Sequence, residues 1–142
     1  MLIQLKEDLY DHLVAYSRET FPEEACGVIF GRPAEHDADV LYATTFFPLP
    51  NMAEQPTREF AIDPMDILPF LKPGPTPLIG LFHSHPSAPP IPSCQDLQTL
   101  WHTIPTHWIL SLQHKIAPEL QIYQIKKAAS TEYRKLSFAL GQ

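Results

Sequence analysis

The chain has 142 residues, of which 44% are hydrophobic and 18% charged, and this composition is typical of one folded domain spanning residues 1–142. Its formal net charge is −6, from 10 Lys and Arg against 16 Asp and Glu. Nucleic-acid binding depends on clustered Lys and Arg that neutralise phosphates, so the charge balance excludes it as a predicted function.

The sequence also indicates the compartment. No apolar run approaches the roughly 20 residues that cross a bilayer, and residues 1–16 lack the apolar core of a signal peptide. We therefore expect a cytoplasmic protein with no membrane contact. Its two cysteines, Cys26 and Cys94, are then expected to be free thiols in a reducing environment.

The first predicted element is a helix. Leu5, Leu9, Leu13 and Tyr16 recur at helical spacing, and Pro22 ends this stretch because it disfavours a helical conformation in the residue before it. Runs of β-branched, aromatic and other apolar residues bounded by turn residues predict the strands. These strands cover residues 25–31, 40–47, 60–62, 78–83, 108–112, 120–125 and 132–138.

Two further helices are expected later in the chain. One covers residues 64–71, with Asp63 as N-cap and Pro64 at its first position, although Pro69 makes its last turn uncertain. The other runs from Cys94 to His102, with Ser93 as N-cap. Helices combined with several strands predict an α+β (α/β-type) domain in which helices pack on a mixed sheet.

Three side chains near the middle of the chain have the spacing of metal ligands. His83 and His85 are two residues apart at the end of an apolar run, so a strand would place both imidazoles on one face. Asp96 follows in what should be the first turn of a helix, where it can supply an oxygen ligand. Two imidazoles and a carboxylate leave the fourth tetrahedral position to water, as in catalytic zinc sites. The three residues therefore predict a site for one Zn²⁺ ion.

The segment between these ligands supports that interpretation. Residues 86–92 contain four prolines, which fix much of the backbone and would hold Asp96 in register with the histidines. An isolated His-x-His is more often a surface or core pair, and an aspartate at a helix start is often explained by the helix dipole alone. The combination with Ser93, three residues before Asp96, favours the metal site.

The string from His83 to Asp96 resembles the JAMM (MPN+, or JAB) motif, His-x-His followed by seven residues and Ser-x-x-Asp. Upstream, residues 22–27 resemble the Pro-x-Glu-x-Cys-Gly signature of the compact prokaryotic branch, and this alignment selects Glu24 rather than Glu23. Asn51 and residues 60–64 also resemble a stretch of that branch, so the similarity runs from about residue 9 to residue 125.

The resemblance implies the fold and the role of each site residue. The fold would be the JAMM/MPN (cytidine-deaminase-like) domain, a curved and partly barrel-like mixed β-sheet flanked by helices. His83, His85 and Asp96 would bind zinc, Glu24 would act as general base on a water, and Ser93 would donate a hydrogen bond to the oxyanion. A zinc metallopeptidase needs no thiol nucleophile, so neither cysteine is expected to be catalytic.

The resemblance further implies the substrate. Family members hydrolyse peptide or isopeptide bonds after the C-terminal tail of ubiquitin or a ubiquitin-like protein, and the compact branch is associated with β-grasp sulfur carriers. We therefore expect a β-grasp carrier as the partner and substrate. Residues 51–60, a long segment without periodicity, would form one wall of the groove for its tail. Homodimers are common in the family, so the resemblance leaves a homodimer open.

Two other classes of function compete with this interpretation. A non-catalytic MPN-type module would use the same fold to hold a ubiquitin-like partner, but the complete set of ligands argues against it. A zinc nucleoside or base deaminase requires His-x-Glu and Pro-Cys-x-x-Cys. The corresponding strings here are His83-Ser-His85 and Pro92-Ser-Cys-Gln-Asp96, which exclude a deaminase.

Overall fold

A computed structural model describes residues 1–127 and 130–141. Seven strands and two α-helices lie within these residues. They are β1 (Leu2–Leu5), α1 (Glu7–Thr20), β2 (Cys26–Pro33), β3 (Val40–Leu49), α2 (Pro64–Ile67), β4 (Leu78–His85), β5 (Thr106–Ser111), β6 (Glu119–Lys127) and β7 (Thr131–Leu140). None of the described helices is long and apolar enough to span a membrane.

The strands form a closed barrel in the order β1-β3-β2-β4-β5-β6-β7. The sheet is mixed, since β1 runs parallel to both β3 and β7, β4 runs parallel to β5, and the remaining pairs are antiparallel. The predicted α+β class, with helices on a mixed sheet, is confirmed. The expectation of a curved, only partly barrel-like sheet needs correction, because β1 pairs along both of its sides and closes the ring.

Strand β1 was missing from the sequence-based prediction, which placed Leu5 in the first helix. Leu5 instead ends β1, where it and Ile3 are buried while Leu2 and Gln4 are partly exposed. An alternation of four residues is too short to distinguish a strand from the start of a helix. Helix α1 begins at Glu7, and its first turn carries Glu7 and Asp8, whose charges favour a helix N-terminus.

The two faces of the sheet have different roles. On one face Phe82 of β4 and Trp108 of β5 pack with Leu13 of α1 in the larger hydrophobic cluster. On the other face Leu81 of β4 packs in a second cluster with Ile67 of α2. Because side chains alternate along a strand, His83 and His85 project from the same face as Leu81.

Two predicted elements are absent from the described structure. Residues 60–62 form no strand, although the Met52 N–H donates to the Ala61 carbonyl (2.8 Å) across the irregular segment. The predicted helix from Cys94 to His102 is reduced to a 3₁₀ turn over Asp96–Gln98. The Thr99 side chain accepts a hydrogen bond from the Trp101 N–H (3.0 Å), a local bond that competes with helix continuation.

The helix predicted over residues 64–71 begins where it was expected but is shorter. The Asp63 carboxylate accepts from the Met65 N–H (2.9 Å), so Asp63 is the N-cap, and Pro64 occupies the first turn of α2. Helix α2 ends at Ile67, and a 3₁₀ turn over Leu68–Phe70 follows. Pro69 lies in that turn, where its missing N–H prevents continuation of the α-helical bonding.

Candidate metal centre

Three side-chain atoms converge on one point at the end of β4. The Nε2 atoms of His83 and His85 are 3.1 Å apart, and each lies 3.1 Å from Oδ2 of Asp96. Both histidines are buried, at 4% exposure each. The structure therefore brings together the three residues that the sequence singled out as metal ligands.

The backbone fixes which nitrogen of His85 carries a proton. Nδ1 of His85 lies 2.8 Å from the carbonyl oxygen of Pro89, and a carbonyl oxygen can only accept, so Nδ1 is the donor. In the neutral ring Nε2 then presents a lone pair. That lone pair faces the carboxylate oxygen of Asp96, which is also an acceptor, so the contact is favourable either with a cation between the two atoms or with His85 protonated on both nitrogens.

The geometry of the three donor atoms fits zinc. Tetrahedral donors at 2.0–2.1 Å from a metal are separated by about 3.3 Å, close to the 3.1 Å edges of this triangle. Imidazole and carboxylate are both accepted by Zn²⁺, and the three residues are the candidate metal-binding group found among the described residues. Three protein donors leave one coordination position open, which is the pattern of catalytic zinc sites.

Asp96 is oriented by the turn in which it lies. Its Oδ2 accepts from the Ser93 N–H (2.9 Å), and its own N–H donates to the Ser93 hydroxyl oxygen (3.1 Å). Burial opposes ionisation of this carboxyl, but the charge of His83 and hydrogen bonds from both histidines and the Ser93 N–H hold its pKa well below the usual range. Asp96 is therefore a carboxylate at neutral pH, as a metal ligand must be.

His83 is held by packing. Its ring stacks on Phe60, with centroids 4.3 Å apart and an angle of 20° between the planes. Burial lowers the pKa of His83, although Asp96 acts in the opposite direction. The irregular segment that carries Phe60 thereby forms part of the site, and stacking on Phe60 holds the His83 ring in its orientation.

Glu24 reaches the same face from the neighbouring strand. Cys26 of β2 pairs with His83 of β4, and the antiparallel register continues as the Ser84 N–H donates to the Ala25 carbonyl (2.9 Å). The Ala25 N–H also donates to the Ser84 hydroxyl (2.8 Å). One further step in the register places Glu24 opposite His85, on the face from which both histidines project.

The carboxyl group of Glu24 is buried and incompletely bonded. Only 5% of the residue is exposed, and Oε1 has no hydrogen-bond partner among the described residues. Burial raises the pKa of Glu24 from 4.5 to about 7; His85 lowers it, and Asp96 and Glu59 raise it further. A carboxyl group with a pKa near neutrality, beside a candidate metal site, can both accept and return a proton.

Asn51 organises the irregular segment around this carboxyl. The segment between β3 and α2 makes no ladder bonds, and the Asn51 amide replaces them with five hydrogen bonds of 3.0–3.4 Å. Its nitrogen donates to the carbonyls of Glu24, Pro56 and Glu59, and its oxygen accepts from the N–H groups of Ala53 and Ala61. The Glu24 N–H in turn donates to Pro56 (2.7 Å), so the backbone of Glu24 is held on both sides.

Ser93 and the cysteines occupy different environments. Ser93 is exposed, and its hydroxyl oxygen accepts from the Asp96 N–H, which leaves the hydroxyl hydrogen able to donate to a substrate. Both cysteines are free: Cys94 is exposed, whereas Cys26 is buried and its thiol donates to the Leu49 carbonyl (3.4 Å). Burial raises the pKa of Cys26 to about 12, so this thiol is unreactive at neutral pH.

A cavity opens beside the candidate metal centre. Its volume is about 260 Å³, and it is lined on one side by residues 59–62 and Pro64 and on the other by Gln95, Asp96 and residues 98–101. The two sides are joined by a hydrogen bond from the Gln95 amide to the Glu59 carboxylate (2.9 Å). Asp96 and Phe60 both line the cavity, so it is continuous with the site.

Sequence comparison places this architecture in a known family. Residues 6–126 match the family model described as prokaryotic homologs of the JAB domain. The chain belongs to the prokaryotic JAB (JAMM/MPN) family.

Two relatives of known activity are similar to this JAB chain. Desampylase of Haloferax volcanii is 31% identical over 101 residues, which cover 66% of this chain and 69% of the relative. CysO-cysteine peptidase of Mycobacterium tuberculosis is 27% identical over 138 residues, which cover 92% of this chain and 88% of the relative.

Solved structures share the JAB fold. A protein from Desulfitobacterium hafniense matches 99% of this chain and 93% of its own length, with a TM-score of 0.75 and 27% identity. A JAB1/MPN domain protein from Archaeoglobus fulgidus matches 96% of this chain and 98% of its own, with a TM-score of 0.58. At 18% identity the second likeness concerns the fold alone.

Three groups around this JAB site have no role predicted from the sequence: Tyr123, Ser111 and the Pro89 carbonyl. Phe60 is predicted from the sequence as part of a strand and of the groove wall, but not as the ring that stacks on His83. Tyr123 and Ser111 point to the site face because they alternate along β6 and β5, but alternation does not specify the partners of a side chain.

His107 is also buried on this face, and its Nε2 has no partner among the described residues. Burial lowers the pKa of His107 to about 4, so its ring is neutral.

Proposed function

We propose that this JAB protein is a zinc-dependent peptidase or isopeptidase that cleaves the bond after the C-terminal tail of a small ubiquitin-like carrier. The observation that carries the proposal is the 3.1 Å triangle of His83, His85 and Asp96 with the buried carboxyl of Glu24 beside it. The three residues would hold one Zn²⁺ ion. Bound there, zinc would polarise the scissile carbonyl and lower the pKa of a water to about 7.

In this mechanism Glu24 moves the proton. Its Oε1 lies buried on the site face and has no partner within residues 1–127 and 130–141, so it can accept the proton of the attacking water. A pKa of about 7 makes the group a base that can later act as an acid, and the same carboxyl then donates the proton to the leaving amine. Asn51 and Pro56 hold the backbone of Glu24 and so keep this carboxyl in place.

Ser93 stabilises the developing oxyanion. The Asp96 N–H occupies an acceptor position of the Ser93 hydroxyl, whose hydrogen then donates to the carbonyl oxygen of the substrate. One such donor is typically worth about 2.7–4 kcal/mol in the transition state. The cysteines take no part, since Cys26 is buried with a raised pKa.

The substrate class follows from the relatives. Their names describe removal of a modifier (desampylase) and release of cysteine from a carrier (CysO-cysteine peptidase). We infer that this chain acts on the tail of a protein of the same kind, a β-grasp sulfur carrier. On the same ground we infer a cytoplasmic location.

The cavity beside Asp96 is the proposed groove for the tail. Of the expected wall over residues 51–60, Glu59 and Phe60 line this cavity, and the wall continues to Pro64; the other wall is the segment after Ser93. Leu100 lies on the second wall and is 81% exposed, so it is available to a substrate. Apolar walls and an irregular backbone edge suit an extended peptide.

Leu100→Asp tests the groove directly. We expect a rise in KM for the carrier with little change in kcat, in zinc affinity or in the melting temperature. Ile116→Asp is the matched control, since Ile116 is equally apolar, 98% exposed and not among the residues that line the cavity. Equal effects of the two substitutions on KM would show that this cavity does not bind the tail of the carrier.

The function itself is tested by intact-mass spectrometry. Zinc-loaded protein would be incubated with β-grasp carriers that bear a C-terminal cysteine, a short extension beyond Gly-Gly or an isopeptide-linked peptide. We expect loss of the residues beyond Gly-Gly, blocked by a chelator and absent with Glu24→Gln. An untouched panel with zinc bound would contradict the peptidase and favour the non-catalytic binding module.

A further inference from the structure

The loop from Pro86 to Pro92, which joins β4 to the Asp96 turn, has few backbone N–H groups with which to form hydrogen bonds. Four of its residues are prolines and have no N–H to donate, so the loop cannot form ladder bonds of its own. One internal bond is present, from the Ile91 N–H to the Pro89 carbonyl (2.8 Å). The loop must therefore be held through its carbonyl groups.

Three consecutive carbonyls of this loop accept hydrogen bonds from side chains of three adjacent strands. The Ala88 carbonyl accepts from the Ser111 hydroxyl of β5 (2.6 Å), and the Pro89 carbonyl accepts from Nδ1 of His85 in β4 (2.8 Å). The Pro90 carbonyl accepts from the Tyr123 hydroxyl of β6. The carbonyl that fixes the tautomer of His85 thus lies between two others that are bound to the sheet.

Ser111 and Tyr123 are placed for this task by the barrel. Ser111 lies beside His85 in the parallel β4–β5 register and is 3% exposed. Its oxygen accepts from the Gln113 N–H (3.1 Å) while its hydrogen goes to Ala88, so the hydroxyl has a partner in each direction. Tyr123 is 2% exposed, and burial raises its pKa, so at neutral pH it is a phenol that donates.

We propose that Ser111 and Tyr123 are positioning residues of the metal centre. By holding the Ala88 and Pro90 carbonyls they keep the Pro89 carbonyl on Nδ1 of His85, which leaves Nε2 as the metal-facing atom. The same anchors fix the path of the loop to Asp96. The proposal rests on the proposed function only in taking His85 and Asp96 as zinc ligands.

The first test needs no metal. In metal-free protein, nuclear magnetic resonance would follow solvent exchange of the His85 Nδ1 proton, assigned by its absence in His85→Gln. We expect about tenfold faster exchange in Tyr123→Phe and in Ser111→Ala, because the Pro89 carbonyl loses its support. Tyr133→Phe is the control, since its ring packs against Tyr123 at 5.6 Å and is 44% exposed. Unchanged exchange in both folded variants would overturn the proposal.

The second test measures zinc affinity by competition with a chromophoric chelator at a temperature where all variants are folded. We expect the dissociation constant to rise by about tenfold or more in Tyr123→Phe and Ser111→Ala, and to stay unchanged in Tyr133→Phe. Variants that bind zinc as tightly as the native protein would contradict the positioning role. If the native protein bound no zinc, the proposed function would fail, while proton exchange would still decide the positioning of His85.

Discussion

Gly27 of β2 lies against the backbone carbonyl of Phe47 so closely that any Cβ at this position would overlap it. The Cβ would also overlap the ring of Phe46, and moving either the β3 backbone or this buried ring costs free energy. Gly27 pairs with Phe82 of β4 on one side and with Pro48 of β3 on the other, in the strand that follows Glu24 and beside the strand that carries the two histidines. The close approach of β3 to β2 thus depends on the missing side chain of Gly27.

Gly27→Ala should therefore lower the free energy of unfolding by about 1–3 kcal/mol, because the added methyl must displace β3 or Phe46. Chemical denaturation would measure the loss. Gly74→Ala is the matched control, since nothing lies within 4 Å of a Cβ built at Gly74. Equal free energies of unfolding for the two variants would show that β3 can move aside without loss of stability.

Asn51→Asp should reduce kcat by about 10–100-fold, since the loss of the amide N–H donors that serve three carbonyls displaces the backbone of Glu24. The new carboxylate would also face three carbonyl oxygens, so the free energy of unfolding should fall by about 1–3 kcal/mol. Gln55→Glu makes the same amide-to-carboxylate change at an exposed position of the segment. Carrier cleavage and denaturation would be measured on both; an active Asn51→Asp would show that Glu24 is held without this amide.

Glu24→Gln should reduce kcat by about 10²–10⁴-fold without loss of zinc, because the variant keeps the shape of the side chain but cannot accept a proton. Glu23→Gln, at the exposed neighbouring position, should retain full activity. Steady-state cleavage and zinc content measured on both would test the assignment. Full activity in Glu24→Gln would exclude this residue as the general base.

The pKa of Glu24 also predicts a pH-dependent stability. The folded protein binds this proton more tightly than the unfolded chain, since the pKa rises from 4.5 to about 7, mainly because the group is buried. The contribution is fully present below pH 4.5 and is lost as the pH rises through about 7. Metal-free Glu24→Gln should accordingly be more stable than the native chain at pH 8, by about 1–3 kcal/mol, and equal to it near pH 4. A stability difference that does not vary with pH would contradict the raised pKa.

Zinc should stabilise the native protein and not a variant that lacks one ligand. At a free zinc concentration 100 times the dissociation constant we expect about 2.7 kcal/mol, measured as a rise in the melting temperature that a chelator reverses. His85→Ala should abolish the rise, whereas His114→Ala, at an exposed position, should retain it. A zinc-dependent rise that survives in His85→Ala would place the metal elsewhere.

The two thiols should differ in reactivity and neither should be needed for catalysis. A maleimide should label Cys94 in the folded protein and Cys26 only after unfolding, since Cys26 is buried and its pKa is raised to about 12. Cys94→Ser should keep kcat within about twofold, because the proposed mechanism contains no covalent intermediate. A burst of acyl-enzyme lost in Cys94→Ser would replace this mechanism with a thiol-dependent one.

The sequence by itself determined the family, the α+β class and the set of candidate ligands. Motif spacing is local information: the two-residue period of a strand places His83 and His85 on one face, and the stiff loop limits where Asp96 can lie. The N-cap at Asp63 and the free cysteines were predictable for the same reason. The catalytic roles of Glu24 and Ser93 remain predictions that the proposed experiments address.

Only the tertiary structure decided how distant segments meet. The sequence could not show that β1 pairs with both β3 and β7, because closure depends on strands more than 130 residues apart in sequence. Nor could it show that residues 60–62 form no strand and that the helix expected over residues 94–102 is reduced to a 3₁₀ turn, since their backbone bonds go to side chains and local turns. Side chains that hold the loops of the site, Asn51, Ser111 and Tyr123, each bond to a carbonyl more than 20 residues away in sequence. Hydrogen-bonding partners of that kind are set by the closed barrel and leave no periodic signal in the sequence.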